Sequence, residues 1–337
     1  MTIMVTGGGG FLGFALLKAL KAEGHKLKTI NRGFYPELET LGIEVLRGDL
    51  ADYATVRAAL EGVDTLFHVA AKPGVWGPYA GYFDANIKAT LNILKVCREL
   101  GIKKLIYTSS PSVTFGGFDQ ENVDESTPYP PQFMAAYPET KAKAEQLVLE
   151  ANDDDLATVS LRPHLIWGPG DRHLLPRIID KASKRRLRFI GKPGKKVDAV
   201  YIDNAVEAHL CALKRLEIGS VISGKVYFIG NNEPMPMDVI INSILEAASL
   251  PQVTKRLSFR FAWTIATLLE TFYTLFHIES EPPLTRFMVA QLNTAHWYNP
   301  KASQEELGFY PKVTMSEGFA RLKQSLEQGR TPSKPSS

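Results

Sequence analysis

Short apolar runs alternate with stretches of helical hydrophobic period through the first half of the chain. The runs at residues 3–5, 27–30, 44–46, 65–69, 104–107 and 158–161 read as strands, and the stretches at 11–22, 53–60, 82–99 and 140–151 as amphipathic helices. Strands separated by helices of this length form βαβ units, which pair in parallel with right-handed crossovers. The pattern predicts an α/β fold, a doubly wound parallel sheet over residues 1–165. After Arg162-Pro163 the rhythm breaks at the turn cluster Gly168-Pro169-Gly170-Asp171. A helix at 203–216 and a strand at 226–229 bring the segment 198–229 back to the sheet. Residues 166–197 and 230–327 are expected to form a smaller, mainly helical substrate region over the carboxyl edge, where doubly wound folds bind ligands. The polar, proline-containing residues 328–337 are expected to be a disordered tail.

Composition narrows the function classes. With 45% hydrophobic and 22% charged residues and a net charge of +3, the chain has the make-up of an ordinary globular protein. No basic stripe is interleaved with aromatics, so nucleic acid is not an expected partner. Cys97 and Cys211 both lie in apolar helical contexts and read as free thiols in a reducing cytoplasm. With a strand entered by Ile3, no signal peptide is expected. No uncharged apolar run reaches the ~20 residues of a membrane span.

Chemistry enters at Thr6-Gly7-Gly8-Gly9-Gly10-Phe11-Leu12-Gly13, between the first strand and the first helix. Gly7, Gly10 and Gly13, or Gly8, Gly10 and Gly13, match a dinucleotide fingerprint. Glycine permits the tight turn and close backbone approach, and the helix that opens at Phe11 favours an anion such as a pyrophosphate. This is the loop of a Rossmann fold. At the end of the second strand an NAD site usually offers a carboxylate to the ribose. Here Asn31-Arg32 stands instead, an amide that does not repel a 2′-phosphate and a guanidinium that binds one. NADP(H) is therefore expected in preference to NAD(H). Asp49, with Leu50 beside it, follows the third strand and is placed to meet the adenine.

Tyr137 and Lys141, four residues apart, share one face of a helix. A nearby ammonium is expected to draw the phenol toward the working range of an acid–base catalyst. Pro138 is tolerable in a first helical turn. Thr108-Ser109-Ser110 ends the fifth strand, where one hydroxyl can hold a substrate oxygen beside the phenol while another caps the turn.

These residues carry a resemblance to the extended short-chain dehydrogenase/reductases, together with His68-Val69-Ala70-Ala71, Asn86 and Arg162-Pro163; it runs to about Gly308. The chain resembles the 3β-hydroxysteroid dehydrogenase branch through Tyr107-Thr108-Ser109-Ser110-Pro111-Ser112-Val113 and Glu281-Pro282-Pro283-Leu284-Thr285-Arg286. It is similar, closer still, to the bacterial 2-alkyl-3-oxoalkanoate reductases of olefin biosynthesis. The strings running from Asn31 to Leu38, Leu165 to Asp171 and Thr294 to Tyr298 carry that similarity. The resemblance implies Ser110, Tyr137 and Lys141 as catalytic. It implies cofactor contacts from Gly7, Gly10, Phe11, Leu12, Gly13, Asn31, Arg32, Asp49, Leu50, Ala70, Ala71, Asn86, Tyr137, Lys141 and Pro163. Asn86 matches a position that helps hold the active-site geometry, and Thr140 stands where many members have serine. No metal is implied. Members commonly form homodimers through the helices corresponding to 82–99 and 140–151, with Leu91, Leu94, Val96 and Leu147 as apolar surface here.

Residues 260–277 combine a wide apolar arc with a thin stripe of mostly threonines. Three readings stay open: a buried helix, a wall for a long apolar substrate, or a surface that touches a membrane or a pathway enzyme. Lys181, Lys184, Arg185, Arg186, Arg188, Lys192, Lys195 and Lys196 form a run without an acidic residue, one of which is a candidate for cofactor phosphates or an anionic substrate. The leading expectation is reduction of a hydrophobic 2-alkyl-3-oxoalkanoate to its 3-hydroxy acid. A 3β-hydroxysteroid or sterol-4-carboxylate is the runner-up. A sugar-nucleotide epimerase and a non-catalytic NADP(H)-sensing protein are the competing classes. Dehydratases of this superfamily carry an acidic pair after the strand-five hydroxyl, where Ser109-Ser110-Pro111-Ser112 offers none.

Overall fold

Residues 1–330 are described in the computed structural model of the chain. The first half runs β1 (Thr2–Thr6), α1 (Phe11–Ala22), β2 (Lys26–Asn31), α2 (Pro36–Thr40), β3 (Glu44–Arg47), α3 (Tyr53–Leu60), β4 (Thr65–His68), α4 (Tyr79–Tyr82), a π-helical turn (Phe83–Lys88) and α5 (Ala89–Leu100). Next come β5 (Lys104–Thr108), a 3₁₀ turn (Pro111–Thr114), β6 (Gln120–Val123), α6 (Ala136–Glu150) and β7 (Ala157–Pro163). The second half holds α7 (Leu174–Ser183), β8 (Phe189–Ile190), β9 (Lys196–Val197), α8 (Ile202–Arg215), β10 (Lys225–Ile229), β11 (Met235–Pro236), α9 (Met237–Ala247) and β12 (Arg256–Leu257). It ends with α10 (Phe259–Leu275), α11 (Arg286–Asn293), β13 (His296–Tyr298), α12 (Lys301–Glu305) and α13 (Met315–Arg330).

Seven strands form one parallel sheet in the order β10-β7-β5-β4-β1-β2-β3. The fully buried patterns of β4 and β7 explain why they read as continuous apolar runs. The order reverses between β1 and β4, and at such a switch point the strand ends open a crevice. Local chemistry sets the helix ends. Asp52 caps α3 by accepting from the Ala54 and Thr55 amides, and Gly101 ends α5 in the left-handed region at φ 68°.

Three expectations about elements change. A second, four-stranded sheet, β11-β9-β13-β6, joins a strand of the first half to three of the second and was not anticipated; strands of two to four residues carry no periodic signal. The helix expected at 82–99 begins at Tyr79 and contains the π turn. The disordered tail expected over 328–337 is not found at 328–330, which continue α13 to Arg330; residues 331–337 lie outside the described residues.

One core cluster joins Leu16 and Leu20 of α1 to Trp167, Tyr201, Phe309 and Leu322, so residues from both halves share it. The opposite sheet face packs Ile93, Leu94, Val96 and Val148. Leu94 and Val96 are therefore not available as a dimer surface; of the three apolar residues named on α5, Leu91, 44% exposed, points outward. Among the described residues no helix is long and apolar enough to cross a membrane.

Candidate active site

The carboxyl ends of β1, β2, β4, β5 and β7 open into one cleft of about 950 Å³. Its floor is the glycine turn. Gly7 sits at φ 72°, where a Cβ would lie 2.9 Å from the Ala70 Cα, and a Cβ on Gly13 would lie 2.3 Å from the Gly7 carbonyl oxygen. The amides of Phe11, Leu12 and Gly13 precede the first bond of α1, from the Phe14 N–H to the Gly10 carbonyl at 2.9 Å. With no acidic residue in that first turn, the helix start suits an anion. The cradle therefore fits a dinucleotide pyrophosphate, and side chains would obstruct it.

Asn31 is placed beneath this loop. Its Oδ1 accepts from the Gly9 amide at 2.9 Å, so the amide is spent on holding the turn. Arg32 is exposed at the cleft rim. Arg47, unnoticed in the sequence, stands opposite Asn31 in the β2–β3 register and donates from Nε to the Arg32 carbonyl at 3.2 Å. Two guanidinium-bearing residues thus end adjacent strands beside the cleft. Asp49 and Leu50 line the same end, and the Asp49 carboxylate also accepts from the Ala51 amide at 2.9 Å.

Tyr137 and Lys141 both lie in the cleft wall, in the first turns of α6, as their spacing requires. Burial pushes the Tyr137 phenol above its usual value, partly offset by the Ser110 hydroxyl beside it. The expected lowering by Lys141 is not what governs the phenol here. The ammonium instead donates to the Thr108 carbonyl at 2.6 Å and sits 4.1 Å above the centre of the Tyr107 ring. Burial brings Lys141 down to about 7, and the Glu145 carboxylate works against that fall. Glu145 is fully buried and accepts from Arg162 Nη2 at 2.6 Å, Tyr129 at 2.8 Å and Ser160 at 2.8 Å. Burial raises this carboxyl, and the Arg162 guanidinium outweighs that and holds it below the usual range.

Ser110 faces the cleft and also caps the 3₁₀ turn, accepting from the Ser112 amide at 3.2 Å; its hydroxyl meets that of Ser112 at 2.9 Å. Ser112 was not singled out by the sequence. Ala70, Ala71 and Pro163 line the cleft as expected. Asn86 does not. Its side chain is buried in the π turn, where Oδ1 accepts from the Lys72 amide at 2.8 Å and Nδ2 donates to the Thr140 hydroxyl at 2.9 Å. Asn86 instead ties the loop after β4 to α6 one residue before Lys141, in keeping with a position that helps hold the site's geometry. A serine hydroxyl at position 140 would serve as well.

The outer wall comes from Phe115, Phe287, Met288, Leu292, His296 and Tyr298. No residue of α10 and none of the basic run 181–196 is in the lining, which corrects the pocket-wall reading of 260–277 and the phosphate reading of that run. The 3₁₀ turn and the loops before α6 and after β4 bring Phe115, Met134 and Val75 against Phe287 and Trp263.

A glycine cradle, a hydroxyl, a phenol and a buried amine converge at the switch point of a parallel sheet. Residues 4–258 match the model of the 3-beta hydroxysteroid dehydrogenase/isomerase family. The chain belongs to that family. It is an oxidoreductase of the short-chain dehydrogenase/reductase type. It is 48% identical over 328 residues to the 2-alkyl-3-oxoalkanoate reductase of Stenotrophomonas maltophilia, covering 96% of this chain and 99% of that protein. It is 33% identical to the decarboxylating sterol-4-alpha-carboxylate 3-dehydrogenase of Mus musculus, covering 97% of this chain and 91% of the relative. The fold matches UDP-glucuronic acid 4-epimerase from Bacillus cereus, solved with NAD, at TM-score 0.75 and 23% identity, covering 98% of this chain and 100% of that one.

Proposed function

We propose that this chain reduces a long-chain 2-alkyl-3-oxoalkanoate to the 2-alkyl-3-hydroxyalkanoate with NADPH. One observation carries the reading: Ser110 and Tyr137 share one cleft with the glycine cradle, and Phe287, Met288 and Leu292 of α11, with Phe115, give its outer part a largely apolar wall. The near full-length similarity to a reductase of that name supports the substrate class. When bound, the reduced nicotinamide supplies the hydride for the carbonyl carbon. Tyr137, kept protonated by burial, donates its phenolic proton to the carbonyl oxygen, and Ser110 orients that oxygen. Lys141, anchored on the Thr108 carbonyl, holds positive charge at the foot of α6 and has further N–H donors for the ribose. Arg32 and Arg47 favour a 2′-phosphate at the adenosine end.

The sterol-carboxylate reading has its own support in the 33% relative, whose named substrate also carries a carboxylate. Incubation of the protein with NADPH or NADH and a panel of long 2-alkyl-3-oxo acids, 3-ketosteroids and a UDP-sugar tests the proposal. Consumption of NADPH with the oxo acids is expected. Turnover confined to a steroid or the UDP-sugar, or a preference for NADH, contradicts it.

A further inference from the structure

Two buried residues of the cleft wall use only part of their hydrogen-bonding capacity. Gln120 of β6 and His296 of β13 stand directly opposite each other in the parallel register, and both line the cleft. They are 7% and 2% exposed. The Gln120 amide donates from Nε2 to the Thr114 carbonyl at 2.9 Å and to the Thr114 hydroxyl at 3.2 Å. That hydroxyl donates in turn to the Pro111 carbonyl at 3.0 Å, so Gln120 is braced against the 3₁₀ turn that Ser110 opens. Its Oε1 is left without a partner. His296 repeats the pattern. The single proton of the Thr294 hydroxyl goes to the Ala290 carbonyl at 2.8 Å. The Thr294 oxygen must therefore accept from His296, whose Nε2–H donates across 2.7 Å. A neutral ring then carries a bare lone pair at Nδ1, a buried atom with no partner. Buried polar atoms are nearly always satisfied, so two on facing residues of one wall call for a ligand.

Charge names that ligand. Among the described residues the lysines and arginines lining the cleft are Arg32, at the adenosine end, and Lys141, which donates to the Thr108 carbonyl. A substrate carboxylate against the outer wall meets neither, and His296 can serve it only as an imidazolium. The surroundings make that charge conditional. His164, from the end of β7, has its ring 5.7 Å from that of His296 and donates from Nδ1 to the Asp198 carbonyl at 3.2 Å. The Asp198 carboxylate is taken by the amides of Asn231, Asn232 and Glu233. Asp119, just before β6, accepts from the Ala295 amide at 2.8 Å and pairs with Lys195. Phe115 and Tyr298 add neutral rings. Burial, reinforced by His164, brings His296 down to about 3, and Asp119 works the other way. The ring is therefore neutral until an anion sits beside it.

We propose that Gln120 and His296 form the subsite for the substrate's carboxyl group, which binds together with one proton carried on His296 Nδ1. The proton comes from solvent, the carboxylate accepts from the new Nδ1–H, and no bond to carbon changes. Gln120 contributes a second acceptor on the facing strand, which stabilises the imidazolium and not the neutral ring. The inference rests on the proposed reduction of a carboxylated ketone, and it holds for an oxo acid or a sterol carboxylate alike. It gives the cleft a means of telling an acid from an ester or a plain ketone, which a largely apolar wall lacks.

The test compares a 2-alkyl-3-oxo acid with its methyl ester, at equal chain length, with NADPH between about pH 6 and about pH 8. The KM of the acid relative to that of the ester should rise with pH, by up to about tenfold per unit, because each bound acid needs one proton. Titration of Lys141 is common to both substrates and drops out of the ratio. His296→Gln still offers the Thr294 hydroxyl an N–H but has no titrating ring. It should raise the KM of the acid about tenfold more than that of the ester, flatten the ratio against pH, and move NADPH affinity far less. A second readout needs no variant. Calorimetric titration of the wild-type NADP⁺ complex in two buffers of different ionisation enthalpy should show about one proton taken up with the oxo acid and none with the ester. A flat ratio with no proton uptake, both substrates being reduced, overturns the inference and leaves the proposed function standing. A His296→Gln variant that loses NADPH affinity in step with the acid also overturns it, since the pair would then hold the nicotinamide amide. An enzyme that reduces neither oxo acids nor sterol ketones overturns the proposed function and this inference with it.

Discussion

A half-buried phenol held above its usual pKa by loss of solvent is a proton donor at neutral pH, and Tyr137 is placed to be one. Tyr137→Phe should lower reductive turnover by about 10²–10⁴-fold while NADPH still quenches protein fluorescence with near wild-type affinity, because the glycine cradle is untouched. Lys141 titrates near 7, and as a cation its charge is present below that pH and lost above it. If charged Lys141 is required, kcat/KM should fall on the alkaline side with a limb near that value. Glu145→Gln removes the carboxylate that holds the amine up, so the limb should move to lower pH in a pH–rate profile. Arg32→Ala should weaken NADPH binding by about tenfold and leave NADH nearly unchanged, because one charge-assisted phosphate contact is lost. The pairing of Tyr137 with Lys141 was legible in the sequence from their four-residue spacing on one helix, whereas Glu145, one turn further on, was not singled out there. The partner of Glu145 was not legible either, because Arg162 arrives from β7 and only the packing of α6 on the sheet brings them together.

Elements carry the substrate preference. Since α11 and not α10 lines the cleft, Met288→Gln or Leu292→Gln should raise KM progressively with alkyl length, at about 0.8 kcal/mol for each methylene that loses its contact. A chain-length series with constant KM ratios would remove α11 from the pocket. The helical period at 260–277 was plain in the sequence, and so was its apolar arc. Which side of that arc would meet protein depended on α11, because the same side-chain pattern is equally satisfied by a core, a pocket or a bilayer. The π turn had no sequence signal either. It places Asn86 where the amide bridges Lys72 and Thr140, and that bridge is a tertiary contact.

Across the whole molecule, buried histidines set the acid limit. Burial lowers His68 and His296 to about 3 and His164 and His209 to about 4, from 6.5. Below pH 6.5 the unfolded chain then binds more protons than the folded one, so this share of stability is present above that pH and is lost as pH falls toward the folded values. Asp198, raised to about 6 by burial, opposes the trend as a single group. The urea midpoint should therefore be lower at about pH 5 than at about pH 7.5. A homodimer through the outer faces of α5 and α6 is expected by light scattering at micromolar concentration, with Leu91→Glu shifting it to monomer. By itself the sequence determined the parallel sheet, the glycine cradle and the pairing of Tyr137 with Lys141, because each follows from short-range periodicity and the chemistry of neighbouring residues. Only the tertiary structure decided that Arg47 joins Arg32, that Lys72 and Thr140 are the partners of Asn86, and that α10 faces outward. Those facts depend on which distant segments meet, and no local pattern of side chains encodes that meeting.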